Sequence, residues 1–298
     1  MSDAAFALKI DVDTLAGLRD GVLRLLELLA RRGVRATFFV AMGPDRTGRA
    51  ALRALRQRGF LAKMVRSRAP RLYPLETMLR GTLLPAVEIA SALPGRLREI
   101  RAAGHELGVH GWDHVLWHDR LSVMDEEAVR AEVRRAAWRF EQILGERPRA
   151  FAAPGWQCTA ASLRAVDEAG FAYRSDTRGW APYRPLAGGY RGRAPELPTT
   201  LPTLDEMIGL AGRGVVELVR VYAGWVRPGA LHVHTAHAEV EGGPWAAHLD
   251  GLLERVADAL PVRTLGEVAA ALPSALAEAP VVSETLPGRG GTVACQRA

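Results

Sequence analysis

Residues 6–40 read FALKIDVDTLAGLRDGVLRLLELLARRGVRATFFV, and this stretch decides the fold class. Residues 6–12 are a short apolar run typical of a buried strand, and residues 34–40 form a second such run. Between them, apolar residues recur at helical spacing on one face: Leu18, Val22, Leu25, Leu26 and Leu29. Gly33 then provides a natural helix end. The chain therefore opens β-α-β, an order that favours a parallel sheet and an α/β fold.

This alternation is interrupted once and then resumes. In residues 44–95 arginines mix with Leu, Phe and Met, and we expect one or two amphipathic helices inserted into the fold. After it, apolar runs predict strands at 105–109, 149–153, 171–175, 229–236 and 261–264. Helical patterns separate them, near 95–103, 125–144, 159–169, 212–226 and 245–259. We expect one catalytic domain over residues 1–275 and, from the lack of periodicity, a disordered tail over residues 276–298.

Composition limits the classes of protein. The chain has 298 residues, of which 48% are hydrophobic, enough for one large α/β core. Its two cysteines, Cys158 and Cys295, give no disulfide framework and fit a reducing cytoplasm. Neither a secretory signal nor a transmembrane helix is expected. The net charge of +6 indicates an anionic partner, but no nucleic-acid motif is present, and no pattern indicates an obligate protein partner.

Two strand ends carry residues that suit a metal ion. His110-Gly111-Trp112-Asp113-His114 sets two imidazoles four residues apart, on one face if the segment is helical. Asp11 and Asp13 follow the first predicted strand, and α/β folds place chemistry at such strand ends. One aspartate and two histidines leave metal positions open for water and substrate, as in catalytic sites. Each pattern alone is equally consistent with core or surface histidines and with loop aspartates.

A third strand end, Leu231-His232-Val233-His234-Thr235-Ala236-His237, is rich in histidine. Under strict alternation His232 and His234 share a strand face that His237 does not. We interpret His232 and His234 as structural and His237 as a candidate acid–base group, with a core or surface role as its alternative.

The order of these motifs resembles the polysaccharide deacetylase superfamily. The resemblance is carried by Ile10-Asp11-Val12-Asp13-Thr14, His110-x-x-x-His114, Ala153-Pro154-Gly155-Trp156 and the strand that ends at His237. Further blocks resemble the 4-deoxy-4-formamido-L-arabinose-phosphoundecaprenol deformylases of that superfamily: residues 63–67, 175–179, 182–186, 201–209 and 237–242. Together the similar blocks span about residues 5–272.

The resemblance implies a fold, a reaction and a set of roles. The fold is a distorted (β/α)7 barrel, and the reaction removes the formyl group from undecaprenyl-phosphate-linked 4-formamido-arabinose. The product serves lipid A modification in lipopolysaccharide and resistance to polymyxin. The resemblance further implies one divalent ion (Zn, Mn or Co) held by Asp13, His110 and His114. Asp11 is then the general base and His237 the general acid.

Two positions depart from the superfamily pattern. The first motif normally has adjacent aspartates, whereas Val12 separates them here. The third motif normally carries an arginine that pairs with the base, and Ala152 stands at that place. Arg178, near Asp176, is our candidate for the missing arginine.

Several residues are candidates for substrate contact. Pro154, Gly155 and Trp156 form the third motif, where a backbone N–H near Gly155 could hold the oxyanion and Trp156 could stack on the sugar. Asp176, Arg178 and Arg184 are candidates for the sugar or its phosphate, since an arginine fork suits phosphate. A structural ion pair is an equally good interpretation of each of these three.

The basic insertion suggests where the enzyme works. Arginines with Leu, Phe and Met opposite them are typical of an interfacial segment, so we expect contact with anionic inner-membrane lipids through Arg53, Arg56, Lys63 and Arg66. The enzyme would then be cytoplasmic and peripheral on the inner membrane. The alternative for the insertion is a helical segment that packs on the barrel. The alternatives for the function are an N-deacetylase of another saccharide, a hydrolase of a small cyclic amide, and a membrane-binding pseudoenzyme without activity.

Overall fold

The computed structural model describes residues 4–55, 75–212 and 214–298. The strands in this part of the chain are β1 Ala5–Val12, β2 Thr37–Val40, β3 Glu106–Val109, β4 Ala150–Phe151, β5 Tyr173–Arg174, β6 Arg184–Ala187, β7 Tyr190–Arg191, β8 Leu231–His237, β9 Val262–Arg263, β10 Glu278–Glu284 and β11 Val293–Gln296. The α-helices are α1 Val22–Arg32, α2 Thr47–Leu55, α3 Leu75–Leu79, α4 Ile89–Ala92, α5 Pro94–Ala102, α6 His114–Arg120, α7 Glu126–Leu144, α8 Ala160–Ala169, α9 Leu204–Met207, α10 Val215–Trp225, α11 Ala246–Ala257 and α12 Leu265–Ala270.

Seven strands form a parallel sheet in the order β5-β4-β3-β2-β1-β8, and β9 also pairs with β1. The central strand β1 is buried along its whole length, as expected for a strand with neighbours on both edges and helices outside. The α/β fold with seven parallel strands confirms the expected class. Several strands are shorter than their apolar runs predicted: β4, expected over 149–153, spans only Ala150–Phe151, because ladder pairing with β3 and β5 is confined to these two residues.

The first helix shows how sequence produces local structure. One π-helical turn, Gly17–Gly21, leads into α1, whose buried residues include Leu25 and Leu29. The helix ends at Gly33, which adopts φ 63° and donates its N–H to the carbonyls of Ala30 and Leu29. A residue with a side chain is disfavoured in this left-handed conformation, so the glycine stops the helix and starts the turn into β2.

The insertion leaves the fold and returns to it at one point. Its two ends meet where Pro44 forms a β-bridge with Glu88 and where the N–H of Asp45 donates to the carbonyl of Val87 at 2.9 Å. Its described part is helical, as expected, but it contains three short helices, α2, α3 and α4, where one or two had been expected. Arg53 lies within α2, whereas Arg56, Lys63 and Arg66 fall outside the described residues.

The expectation of a disordered tail was wrong. Residues 278–296 form the antiparallel pair β10–β11, and β10 pairs in parallel with β6 in a second sheet of order β11-β10-β6-β7. Val293, Ala294 and Cys295 are buried. The partner of β10 lies about 90 residues earlier in the chain, so neither local periodicity nor composition indicates the pairing.

Candidate active site and metal centre

The candidate residues gather at the carboxyl edge of the parallel sheet. Asp11 lies near the end of β1, and Asp13 follows it. His110 comes directly after β3, and His237 is the last residue of β8. In the register of β1 with β8, Asp11 and His237 are direct neighbours. The common edge of the sheet therefore brings together the residues that the strand-end argument selected.

Asp13, His110 and His114 form a compact ligand set. Nε2 of His110 lies 3.3 Å from Oδ1 of Asp13, and Nε2 of His114 lies 3.4 Å from Oδ2. One ligand atom from each residue falls within 4.8 Å of the others. The two histidines do not share a helix, since His110 follows a strand and His114 begins α6. Gly111, at φ 69°, makes the turn between them.

The protonation of His110 fits a metal ligand. Its Nδ1 lies 2.8 Å from the carbonyl oxygen of Ala152, a contact that requires Nδ1 to carry the proton. Burial lowers the pKa of His110 well below its usual value, so the ring is neutral and Nε2 holds a lone pair. That lone pair faces Oδ1 of Asp13, which accepts no hydrogen bond within the described chain. A proton or a metal cation between two such acceptors relieves their repulsion, and a set of one carboxylate and two neutral imidazoles fits a divalent ion.

Burial raises the pKa of Asp13 to about 7. A divalent cation at this position would favour the ionised carboxylate and reverse the shift. Burial likewise lowers the pKa of His114 to about 4, which leaves its ring neutral and able to donate a lone pair.

Asp11 is paired with a cation, but Arg178 is not that cation. Nζ of Lys9 lies 3.4 Å from Oδ2 of Asp11, and both side chains are buried. The same Nζ donates to the carbonyl of Ser175 at 3.1 Å and lies 5.4 Å from the centroid of the Trp156 ring. Because side chains alternate along a strand, Lys9 and Asp11 share one face of β1. Our assignment of Arg178 as the replacement for the missing arginine is therefore wrong.

Arg178 instead belongs to a structural network. Its Nη1 donates to Oε1 of Glu206 at 2.9 Å, and its Nη2 donates to the carbonyl of Leu201 at 2.9 Å. Its guanidinium lies 5.1 Å from the centroid of the Trp156 ring. Of the two interpretations given above for Arg178, the structural ion pair is the observed one.

His237 is surrounded by carboxylates. Burial alone would lower its pKa, but Asp13, Asp205, Asp11 and Glu241 together raise it to about 9. The backbone N–H of His237 donates to Oε2 of Glu241 at 2.9 Å, which ties the loop after β8 to the strand end. A protonated imidazole beside Asp11 and the ligand set is suited to donating a proton.

The loop after β8 is also hydrogen-bonded to the segment after β1 that carries the candidate ligand Asp13. Oε1 of Glu239 accepts hydrogen bonds from the backbone N–H of Asp13 (3.0 Å), the backbone N–H of Thr14 (2.8 Å) and the Thr14 hydroxyl (2.7 Å). A side chain at Gly17 would collide with it, since an added Cβ would lie 2.2 Å from Oε1. Glu239 therefore fixes the backbone of the candidate ligand Asp13.

The third motif forms a tight turn beside His237. Gly155 and Trp156 adopt φ 60° and φ 54°, and a Cβ at position 155 would lie 2.0 Å from Cδ2 of His118. The Trp156 side chain is only 2% exposed, and its ring centroid lies 6.3 Å from that of His237. The ring is therefore a buried part of the wall rather than an open platform for a sugar.

The remaining polar residues are not members of the ligand set. Asp176 is 1% exposed, and its backbone N–H donates to Glu196. Arg184 lies in β6, where no hydrogen bond or ion pair within the described residues joins it to the metal-ligand candidates. Oδ1 of Asp113 accepts the N–H of Leu116, so Asp113 caps α6. His234 packs against Phe6 and Tyr222 in the core, in agreement with a structural role.

Sequence reasoning missed Lys9, Glu239 and Arg289. Lys9 was detectable, because a lysine two residues before Asp11 in an apolar strand must share its face. Glu239 belongs to a block quoted for its resemblance, but its contact with Asp13 joins residues 226 positions apart. Arg289 lies in the segment expected to be disordered, and its guanidinium is 4.6 Å from the centroid of the Trp156 ring.

Carboxylate and imidazole groups meet at the carboxyl edge of a seven-stranded parallel sheet. This combination of fold and site defines the class of protein, a hydrolytic α/β enzyme. The sequence profile of the polysaccharide deacetylase family matches residues 6–174, and the chain belongs to that family. It is an amide hydrolase.

The chain is also similar to individual proteins and to a solved structure. The chain is 39% identical over 239 residues to a Shewanella sediminis protein named "Probable 4-deoxy-4-formamido-L-arabinose-phosphoundecaprenol deformylase ArnD", covering 79% of this chain and 75% of the relative. A protein of the same name from Wigglesworthia glossinidia brevipalpis is 26% identical over 94% of this chain and 98% of its own. The crystal structure of a polysaccharide deacetylase-type protein from Mycobacterium smegmatis shares the fold, with a TM-score of 0.59, 21% identity and 90% coverage of each chain.

Proposed function

We propose that this enzyme removes the formyl group from undecaprenyl-phosphate 4-deoxy-4-formamido-L-arabinose, releasing formate and the 4-amino sugar lipid. The observation that carries the proposal is the complete set at the strand ends, with the Lys9–Asp11 pair and His237 beside Asp13, His110 and His114. The names of the relatives supply the substrate. The amino sugar would serve lipid A modification and resistance to polymyxin.

The residues present can perform amide hydrolysis. Asp13, His110 and His114 would hold the divalent ion, which when bound lowers the pKa of water and polarises the carbonyl. Asp11, oriented by Lys9, takes a proton from the attacking water, whose oxygen adds to the formyl carbon. His237 gives its proton to the sugar nitrogen as the carbon–nitrogen bond breaks. The N–H of Gly155 donates to no acceptor in the described part of the chain and is available to the developing oxyanion.

The acyl group and the metal are tested in one experiment. Protein loaded with Zn, Mn or Co is incubated with the formylated lipid and with its acetylated analogue, and both products are measured by mass. We expect formate release in preference to acetate release, and loss of activity after chelation. Equal or faster release of acetate would support an N-deacetylase, whereas full activity of the metal-free protein would reject the metal site.

The substrate's polyprenyl chain requires the enzyme to work at a membrane surface. No helix in the described residues is long and apolar enough to span a membrane. Leu52, Leu75 and Leu83, all in the insertion, are 53%, 72% and 82% exposed. The sequence of the same insertion also carries the basic residues Arg53, Arg56, Lys63 and Arg66, and a combination of exposed leucines and basic residues is typical of interfacial binding. We therefore place the enzyme on the cytoplasmic face of the inner membrane, bound to anionic lipids.

Liposome binding tests this placement. Reversing Arg53, Arg56, Lys63 and Arg66 to Glu should abolish binding to anionic liposomes while sparing hydrolysis of a short-chain soluble analogue. The control variant reverses four exposed arginines elsewhere: Arg35, Arg101, Arg147 and Arg191. It should bind nearly as wild type does, and wild-type binding should weaken with salt. Equal loss in both variants would show that total charge, and not the insertion, drives binding.

A further inference from the structure

The hairpin β10–β11 covers the third motif. Val293 and Cys295 form a buried apolar cluster with Trp156, and Val282 and Leu286 pack against it. Nε2 of Gln157 donates to the carbonyl of Thr292 at 2.7 Å. The hairpin therefore forms the outer wall of the turn that faces His237.

That turn requires support. Trp156 is the one described residue other than glycine with a positive φ, and it follows Gly155, which also has a positive φ. A bulky residue in this conformation is strained and persists only where its surroundings hold it. Nε1 of Trp156 donates to the Thr199 hydroxyl at 3.1 Å, which anchors one edge of the ring.

Arg289, in the connection between β10 and β11, anchors the other side. Its Nη2 donates to the carbonyl of Gly155 at 3.3 Å, and its Nη1 donates to Oε1 of Glu206 at 3.3 Å. The guanidinium stacks over the Trp156 ring, 4.6 Å from the centroid. Its side chain is 13% exposed, so the contact is mostly shielded from water. One guanidinium thus holds both the backbone and the ring of the turn.

We propose that Arg289 is a positioning residue for amide hydrolysis. By holding the Gly155 carbonyl and the Trp156 ring, it fixes the peptide plane that follows Gly155 and restricts rotation at Gly155. That restriction keeps the Gly155 N–H, which lies in the preceding peptide plane, positioned for the reacting carbonyl. This inference rests on the proposed hydrolysis, but not on the identity of the acyl group or of the sugar.

A positioning role differs measurably from a substrate-binding role. Arg289 shares Glu206 with Arg178, so its charge is already balanced in part by a carboxylate. An N–H that stabilises only the oxyanion contributes to the transition state and not to ground-state binding. Loss of Arg289 should therefore lower kcat and leave KM nearly unchanged. A residue that bound the phosphate of the substrate would instead raise KM when lost.

The test compares three full-length, metal-loaded variants. Arg289→Met should lower kcat about 10- to 100-fold with KM within about twofold of wild type, as expected for a misplaced transition-state donor. Arg289→Lys keeps the charge and one contact and should recover part of kcat. Arg297→Met is the control, since Arg297 is exposed and is joined to the hairpin by its backbone N–H. Unchanged kcat in Arg289→Met, or a raised KM with unchanged kcat, would overturn the proposal.

Two further measurements keep the test decisive. Acrylamide quenching, compared with a Trp156→Phe background, should show Trp156 becoming accessible in Arg289→Met but not in Arg297→Met, and unchanged quenching would reject the anchoring contact. If Arg289→Met does not fold, Arg289→Lys decides, because a kcat equal to wild type there would reject the need for the two-sided contact. The variants are assayed on whichever amide the wild type hydrolyses, so a failure of the formyl assay rejects the substrate proposal without affecting this one.

Discussion

The two walls of the active site are built in different ways. The edge formed by β1 and β3 carries Asp11, Asp13 and His110 within or just after parallel strands, so the sheet itself places them. The wall formed by β10–β11 reaches the site through contacts with residues more than 80 positions earlier, such as Arg289 with Glu206. In the proposed mechanism the first wall supplies the reacting groups, and the second shapes the turn that faces them. Substitutions at the edge should therefore remove chemistry, whereas substitutions in the hairpin should reduce its rate.

The largest effect is expected from the metal ligands. Replacing both His110 and His114 by Ala removes two of the three proposed ligands, so a protein that binds one divalent ion there should lose it, and its activity should fall to background. Metal content by mass spectrometry and turnover by formate release measure the two outcomes. A double variant that still binds a full equivalent of metal would place the metal elsewhere and undo the assignment of this edge.

The base should be separable from the ligands. Asp11→Asn keeps the size of the side chain and leaves Asp13, His110 and His114 intact. We expect full metal content and a loss of turnover of about 10²–10⁴, the usual contribution of a general base. Simultaneous loss of metal would mean that the roles of Asp11 and Asp13 are exchanged.

The Lys9–Asp11 pair should contribute less than the base itself. Lys9→Met leaves Asp11 in place but without its buried cation, and we expect turnover to fall about 10- to 100-fold as the base loses its orientation. Breaking a buried pair also destabilises the fold, by about 3–5 kcal/mol where one charge is left unpaired. Lys9→Arg is the matched control and should retain most activity. Identical turnover in Lys9→Met and wild type would show that the base needs no cation.

The hairpin can be perturbed by a substitution that leaves Arg289 in place. Gly288 has φ 80°, and a Cβ there would lie 2.2 Å from the carbonyl oxygen of Glu206. Gly288→Ala should cost on the order of 1–3 kcal/mol of stability and lower kcat only a few-fold, because the turn next to Arg289 must shift. Gly290→Ala, which meets nothing within 4 Å, is the control. A Gly288→Ala loss as large as that of Asp11→Asn would erase the difference between the two walls.

The smallest effect on activity is expected in the core beneath β8, where the change concerns how stability depends on pH. Burial lowers the pKa of His234 to about 3 and that of His248 to about 4, and the ring nitrogens of both have no hydrogen-bond partner in the described chain. The unfolded chain binds protons below about pH 6.5, whereas these folded rings stay neutral. Their contribution is therefore complete above pH 6.5 and is lost as pH falls toward 4, by about 2 kcal/mol per ring at pH 5.

Urea unfolding at several pH values measures this loss. His248→Leu should flatten the decline between pH 6.5 and 5 relative to wild type, since one of the two rings no longer binds a proton on unfolding. Parallel curves for variant and wild type would contradict the assignment. Activity at neutral pH should change little, because His248 lies in α11 and packs against Tyr222.

The two walls also differ in how far sequence could predict them. The positions of these residues at strand ends, together with the resemblance to the polysaccharide deacetylases, were enough to predict that Asp11, Asp13, His110 and His237 would meet. The hairpin could not be found in this way, since β10 hydrogen-bonds to β6 and the segment lacks strong apolar periodicity of its own. Arg178 was misassigned for a related reason: its partner Glu206 lies 28 residues away, on a helix of one turn. The local sequence pattern indicates which face of a strand or helix a residue occupies, but it does not indicate which distant residue forms an ion pair with it.

The hydrogen bonds that Glu239 accepts from Asp13 and Thr14 restrict how the loops around the site can move. An added Cβ on Gly21 would lie 2.0 Å from the carbonyl of Ala238, so the turn before α1 and the loop after β8 touch backbone to backbone. Neither segment can move without the other, so the proposed acid His237 and the proposed ligand Asp13 must move together as one rigid unit. The amide protons of Asp13 and Thr14 should accordingly exchange with solvent slowly, near the rate of global unfolding. Any opening of the site that admits a lipid-linked substrate must then involve other loops at the carboxyl edge of the sheet.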